Sequence, residues 1–393
     1  MSQIVLKPRS AKPFVGRHPW VFDSAIQRIE GTPSDGDVVD LVSSRGEFIA
    51  RGVFNGRSRI HVRLYTWELD EKLDEAFWRR RLETAWALRR RLGYDDPQGA
   101  ARMVFSEGDG LSGLVVDRYG EFLVVQPTAL AMAVRLEELV PMLVDLGRPQ
   151  GIFLRTERDI TRAEGIEVPP GLRWGRLPDG PVPVRDHGIQ YAVDPAGGQK
   201  TGTYLDQREN RPAAARYFAG GRVLDVFCYT GGFALTAAAG GAREVLGIDS
   251  SRQAVAHARA NAERNGLGNV RFQVGEAFAT LGALSAAGER FDGLVLDPPR
   301  FAGSRGTVPQ ALRAYHRLNR LALGLLPPGG ILVTCSCSGH VGREDFLRML
   351  RGVAQQGCRD LQVLESRGAA PDHPVAAACP ETEYLKCFVC RLA

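Results

Sequence analysis

From about residue 186 onward, strand-type and helix-type segments alternate, and this order leaves few folds open. Apolar runs at 222–227 (RVLDVF), 244–249 (EVLGID), 270–276 (VRFQVGE), 291–299 (FDGLVLDPP) and 329–336 (GGILVTCS) read as strands. Between them lie an Ala-rich helix at 231–240, an amphipathic one at 251–266 and another around 309–326. Such alternation builds parallel strands joined by helical crossovers, so the expected fold for 186–393 is a Rossmann-like, doubly wound α/β domain. The rest of the chain reads differently. Short β-type runs at 37–43, 47–54 and 59–65, roughly ten residues apart with turn signals between, predict a small antiparallel barrel over 1–70. A helix over 71–93, strands within 102–127 and a helix over 131–147 broken near Pro141 predict a middle α+β domain over 71–185.

In a doubly wound sheet, ligands sit beyond the carboxyl ends of the strands, where the strand order reverses. Here the first strand runs from Asp225 into a turn holding Phe227, Tyr229, Thr230, Gly231 and Gly232, and then into a helix. The spacing matches neither the dinucleotide G-x-G-x-x-G pattern nor a P-loop, since no Lys follows. Asp249, followed by Ser250, ends the next strand, where a carboxylate can accept both hydroxyls of a ribose. Glu276 and Ala277 follow the third strand, and Asp297 opens D-P-P-R at the end of the fourth. Taken alone, Asp249 reads equally as an acid at a helix start. Four strand ends in order describe a nucleoside pocket with no phosphate-binding element, which fits S-adenosylmethionine as cofactor.

The same stretches carry a resemblance. The segments 16–26, 104–120, 197–211, 225–233, 297–301, 334–339 (TCSCSG) and 372–388 resemble those of the bacterial 23S ribosomal RNA cytosine-C5 methyltransferases of the RlmI type. These are class I S-adenosylmethionine-dependent enzymes. The resemblance covers the full length and implies an N-terminal PUA-like RNA-binding domain, a middle α+β domain and a C-terminal catalytic domain. It also implies large-subunit ribosomal RNA as partner, and a homodimer. Where many methyltransferases read G-x-G-x-G, this chain has Phe227, Tyr229 and Gly231, which points to side-chain walls in place of bare backbone.

Carbon 5 of cytosine is a poor nucleophile. A thiolate adding to carbon 6 makes carbon 5 enamine-like, so such chemistry needs a reactive cysteine beside the methyl donor. Thr334-Cys335-Ser336 resembles the nucleophile motif of RNA cytosine methyltransferases, which makes Cys335 the expected nucleophile and Cys337 the reserve; a structural cysteine at a strand end is the plainer alternative. Asp297 is expected against the ring edge, hydrogen-bonding N3 and the exocyclic amine. Lys200, Arg208, Arg300 and Arg305 are candidate phosphate contacts flanking the cleft. Arg17, His18 and Trp20 match the PUA-like pattern, although Trp20 serves as readily in a core. The base that removes the carbon-5 proton stays unassigned; His373 is one candidate.

Net charge is +5, and of the 50 basic residues only five are Lys. An arginine-rich surface suits phosphate and base stacking, although codon composition explains the bias as well. The triplets 79–81 and 89–91 read mainly as a solvated helix face. The Cys387/Cys390 pair lies in a strand-type run that points the two side chains to opposite faces, so no metal is expected there. The absence of a long apolar run or an apolar leader predicts a cytoplasmic protein without membrane contact. Two other readings stand beside cytosine methylation: a methyltransferase for another RNA position or atom, and a noncatalytic RNA-binding assembly factor.

Overall fold

The computed structural model describes residues 1–195 and 203–393. Lys200 lies outside the described residues. The chain forms two compact units: residues 1–184, 193–203 and 371–382 make the first, and 185–192, 204–370 and 383–393 the second.

In the first unit, six strands make one sheet: β1 (Gln3–Leu6), β2 (Trp20–Phe22), β3 (Ile26–Glu30), β4 (Val38–Val42), β5 (Phe48–Phe54) and β6 (Ile60–Thr66). A short helix α1 (Lys12–Val15) follows β1. The order is β2-β6-β5-β4-β1-β3, and alternate residues such as Ile4 and Leu6, Val39 and Leu41, and Val62 and Leu64 fill its core. The sheet is mixed rather than purely antiparallel. β3 turns back along one edge of β1, and the next connection carries the chain to β1's other edge, so β4 runs parallel to it.

Helix α2 (Glu75–Arg91) starts where the Asp74 side chain accepts the Phe77 N–H, and it buries Phe77, Trp78, Leu82, Ala85 and Trp86. These pack with a five-stranded sheet of order β11-β10-β9-β8-β7: β7 (Ala100–Phe105), β8 (Leu114–Tyr119), β9 (Phe122–Pro127), β10 (Gly151–Leu154) and β11 (Gly171–Gly175). Helices α3 (Leu130–Ala133) and α4 (Leu136–Gly147) follow β9, and α5 (Arg158–Glu164) follows β10. The helical break falls at 134–135 rather than at Pro141, which lies inside α4. The expected barrel and middle domain share this one unit. Arg63 on β6 pairs with Glu107 at 3.1 Å and Glu164 at 3.0 Å, all three nearly buried.

A hairpin of β12 (Val182–Asp186) and β13 (Ile189–Val193) precedes the second unit's helix α6 (Asn210–Ala215). Then come β14 (Arg222–Val226), α7 (Gly232–Ala239), β15 (Glu244–Asp249), α8 (Arg252–Arg264), β16 (Val270–Val274), α9 (Ala277–Ala286) and β17 (Gly293–Leu296). The unit closes with α10 (Val308–Leu323), β18 (Ile331–Ser336), α11 (Arg343–Gln356), β19 (Leu361–Arg367) and β20 (Lys386–Leu392). The sheet order is β16-β15-β14-β17-β18-β20-β19. The first five strands are parallel, as the alternation predicts, and β20 inserts antiparallel between β18 and β19. The order reverses at β14. Asp249 and the residues following β14, β16, β17 and β18 therefore gather along one edge.

Candidate active site

The turn after β14 is held in an unusual conformation. Phe227, Tyr229 and Gly231 all have positive φ, at 67°, 49° and 91°. For a side-chain-bearing residue this costs about 1–2 kcal/mol. The backbone thus keeps the left-handed turn that glycines supply elsewhere, and two aromatic residues occupy it. Asp249 steadies the turn: its Oδ2 accepts the Tyr229 N–H at 2.9 Å and its Oδ1 accepts the Ser251 N–H at 2.8 Å. The Tyr229 ring meets Tyr204 edge-on at 5.2 Å. Thr230 contributes its carbonyl to Asn261 Nδ2 at 3.2 Å. At Gly232 an added Cβ would fall 2.6 Å from Arg211 Nε, so a side chain at this first residue of α7 would have to displace the Arg211 guanidinium.

Asp225 is buried, and its Oδ2 accepts the Ala234 N–H of α7 at 2.9 Å. Burial pushes its pKa well up, with the Asp297 and Asp249 charges adding while the Ala234 N–H and Arg211 oppose. Its Oδ1 is buried without a hydrogen-bond partner among the described residues. Such an orphaned acceptor is costly unless a ligand supplies the donor. Ser250 and Glu276 are exposed and Ala277 is buried. Glu276 Oε2 accepts the Ala279 N–H at 2.8 Å as the N-cap of α9.

Asp297 follows β17, and its Oδ1 accepts from Gln207 Nε2 at 3.0 Å. Gln207 is oriented in turn by Asn210, whose Nδ2 donates to Gln207 Oε1 at 2.6 Å, and Asn210 Oδ1 accepts from Arg367 Nε at 2.9 Å. Gln207 is a residue that the sequence reading missed; its segment carries neither periodicity nor a strand end.

The two thiols of T-C-S-C differ sharply. Cys335 lies within β18, fully buried and paired in register with Cys387 of β20. Burial pushes its pKa well up, and Cys387 and the Asp297 charge push the same way. Cys335, the expected nucleophile, is thus the fully buried thiol of the pair. Cys337 is the first residue past the strand, half-buried, with its Sγ 3.9 Å from the Pro298 carbonyl of the D-P-P loop. Phe301 ends that loop against Tyr315, at 4.7 Å.

The profile of the S-adenosylmethionine-dependent methyltransferase family matches residues 178–383, and that of the PUA-like domain matches residues 4–67. The chain is 38% identical over 392 residues to ribosomal RNA large subunit methyltransferase I of Klebsiella pneumoniae (strain 342), covering 99% of this chain and 98% of that one. Its counterpart in Aeromonas hydrophila subsp. hydrophila is 40% identical over 395 residues, with 99% of each chain covered. The chain belongs to this methyltransferase family. SMU.776, solved in complex with SAH, shares the fold, at TM-score 0.86 and 20% identity over 100% of both chains. The cofactor is S-adenosylmethionine. The orphaned Asp225 oxygen and the acceptor-rich end of β15 fit a ligand that brings hydrogen-bond donors and no phosphate.

The methyltransferase distributes its expected RNA contacts unevenly. Arg300 and Arg305 are exposed. Arg208 is not: it is buried, with its Nε 3.0 Å from Asp186 Oδ1, so it leaves the set of surface cations. Asp186 also takes Arg211, at 3.3 Å, which explains why a polar run can be internal. In the first unit Arg17 is exposed, with its guanidinium 5.8 Å from the Trp67 ring centre. Trp20 is half-buried and spends its indole N–H on Glu107 Oε1 at 2.8 Å. His18, Cys379 and Glu381 bring ligand-type atoms within 4.8 Å of one another. Because His18 Nδ1 accepts the Trp20 N–H, the neutral ring carries its proton on Nε2, which donates to Glu381 at 3.4 Å. His373 is buried against Asp372 at 2.7 Å, in a segment belonging to the first unit. Among the described residues no helix is long and apolar enough to cross a membrane.

Proposed function

We propose that this methyltransferase modifies carbon 5 of a cytosine in 23S ribosomal RNA through a covalent cysteine adduct, and that Cys337 is the attacking thiol. The observation that carries the reading is Cys337 past the carboxyl end of β18, against the D-P-P loop that presents Asp297. The relatives' name, ribosomal RNA large subunit methyltransferase I, supports the substrate class.

In this reading Asp249 accepts from the cofactor ribose and Asp225 Oδ1 from a further cofactor donor, while Phe227 and Tyr229 wall the pocket. The bound cofactor supplies an electrophilic methyl group on a sulfonium. The Cys337 thiolate attacks carbon 6 of the cytosine, and the displaced electron pair makes carbon 5 nucleophilic toward that methyl. Asp297, held as an acceptor by the Gln207 N–H, fixes the exocyclic amine and supports a proton at N3. A base removes the carbon-5 proton, and the returning pair expels the thiolate. Arg17, Arg300 and Arg305 are the proposed phosphate contacts. The three-domain division, a homodimer and a cytoplasmic location belong to the same proposal.

The test is tritium release from RNA labelled at carbon 5 of cytidine. Release dependent on cofactor is expected. Methyl transfer without it would move the activity to another atom of the RNA.

A further inference from the structure

Between Asp297 and Glu344 the chain holds no acidic residue, although Asp and Glu number 45 in the whole sequence. The same stretch holds six arginines. Arg343 is paired with Glu383 at 2.7 Å. Arg300, Arg305, Arg313, Arg317 and Arg320 have no carboxylate partner among the described residues. The first two stand on the segment that leads from the D-P-P loop into α10, and the other three lie on α10 itself.

Helix α10 turns its arginines one way. It buries Ala311, Tyr315, Leu318 and Ala322, which form its inward stripe. From residue 313 to the helix end at Leu323, the exposed positions are Arg313, Arg317 and Arg320 and no others. Steps of four and three residues keep them in one row, about 10 Å long. Like charges at these spacings repel, and the helix carries no acid to offset them. Arg317 is steadied by the Phe278 ring of α9, whose centre is 5.0 Å from its guanidinium. The row starts beside the site. Tyr315, which lies between Arg313 and Arg317 in sequence, places its hydroxyl 3.1 Å from Ser338 Oγ, and the same oxygen accepts the Ala302 N–H at 3.2 Å. One serine, next to Cys337, thus ties the D-P-P segment to the helix.

We propose that Arg313, Arg317 and Arg320 form a contact row for the phosphate backbone of the substrate RNA, continuing the line that Arg300 and Arg305 begin. This rests on the reading that ribosomal RNA is the substrate. Three features select RNA among anionic partners. The row is linear, as the successive phosphates of one strand are. Every member is Arg, whose forked guanidinium takes two phosphate oxygens at once. The row also exposes no apolar side chain, which a helix lying in a membrane surface or a stable protein interface would need. Phosphate contacts carry no sequence information, so the row orients the strand flanking the target and does not choose the target.

The test uses the full chain and a protein-free 23S ribosomal RNA transcript, with binding measured across a KCl series. In the triple variant Arg313→Gln, Arg317→Gln, Arg320→Gln, the slope of log affinity against log salt should become shallower by about two to three. Affinity at about 100 mM KCl should fall about tenfold or more. Calorimetric binding of S-adenosylmethionine should be unchanged, which certifies the fold. Lysine at the same three positions should keep most of the slope, because the charge is retained. A matched control, Arg243→Gln, Arg290→Gln, Arg359→Gln, removes equal charge from exposed positions at the amino ends of β15, β17 and β19, the opposite edge of the sheet. It should leave the slope nearly as it was. A slope unchanged in the α10 variant, or changed equally in the control, overturns the proposal; the first result would leave an acidic protein surface as the partner of the row. Failure of the underlying reading looks different: salt dependence would be flat in the unaltered chain, and the ribosomal RNA reading would fall together with the row.

Discussion

Gln207 Nε2 stands 3.0 Å from Asp297 Oδ1, and because Asn210 donates to the other end of the same amide, Gln207 can only donate to the carboxylate. Asp297 is thereby kept an acceptor with a fixed plane at the point where β17 gives way to a loop stiffened by two prolines. A hydrogen bond to a charged group contributes about 1.5–3 kcal/mol. Gln207→Leu should lower the single-turnover methylation rate about tenfold or more, while cofactor affinity by calorimetry changes less than twofold. An unchanged rate would mean that Asp297 needs no such support.

The left-handed turn at Tyr229 makes a prediction that compares two small residues. Both Tyr229→Ala and Tyr229→Gly lose the ring contact with Tyr204, but only Gly accepts a φ of 49° without a Cβ clash. Tyr229→Gly should be more stable than Tyr229→Ala by about 1 kcal/mol in urea unfolding. Equal stabilities would show that the turn relaxes once the ring is gone.

Acid sensitivity should trace to Glu365. Its desolvation works to raise its pKa, but hydrogen bonds from Tyr217, Arg216 and Arg367 outweigh this and hold it at about 2. A folded-state pKa below the unfolded value contributes stability that is present above the ordinary glutamate range and lost as pH falls toward the folded value. Glu365→Gln should therefore flatten the stability profile between about pH 4.5 and pH 2, measured by urea unfolding at each pH. A profile as steep as that of the unchanged protein would assign the acid limb to other carboxylates.

How much of this could be read from the sequence follows from where each residue gets its meaning. Asp225, Asp249 and Asp297 were legible because parallel strands linked by helices must place their carboxyl ends together. Gln207 was not, because it acts from a one-turn segment before α6. Arg208 misled because Q-R-E-N-R looks like surface, whereas Asp186 on the preceding hairpin draws it inward. Arg89 misled in the same way: it is fully buried, bonded to Asp109 at 2.6 Å and to the Asp372 carbonyl at 2.6 Å. Three consecutive arginines on a helix spread over most of its circumference, so at least one must snorkel or pair, but only the fold says which.

The thiol pair gives the decisive experiment. Cys335 and Cys337 are two residues apart, yet one is fully buried within β18 and the other lies past the strand end. RNA carrying 5-fluorocytidine at the target should trap a covalent complex, because fluorine cannot leave as a cation and the elimination stalls after methyl transfer. Cys337→Ala should bind cofactor and RNA but form no adduct and turn over no substrate. Cys335→Ala should keep forming the adduct, with some loss of stability, since truncating a buried thiol removes packing without removing the nucleophile. If instead Cys335→Ala is inactive and Cys337→Ala active, the strand must open to admit the base, and hydrogen exchange at the β18–β20 pairing should then rise on RNA binding. Full activity in the double variant would end the case for covalent catalysis, and carbon 5 would lose its claim as the methylated atom.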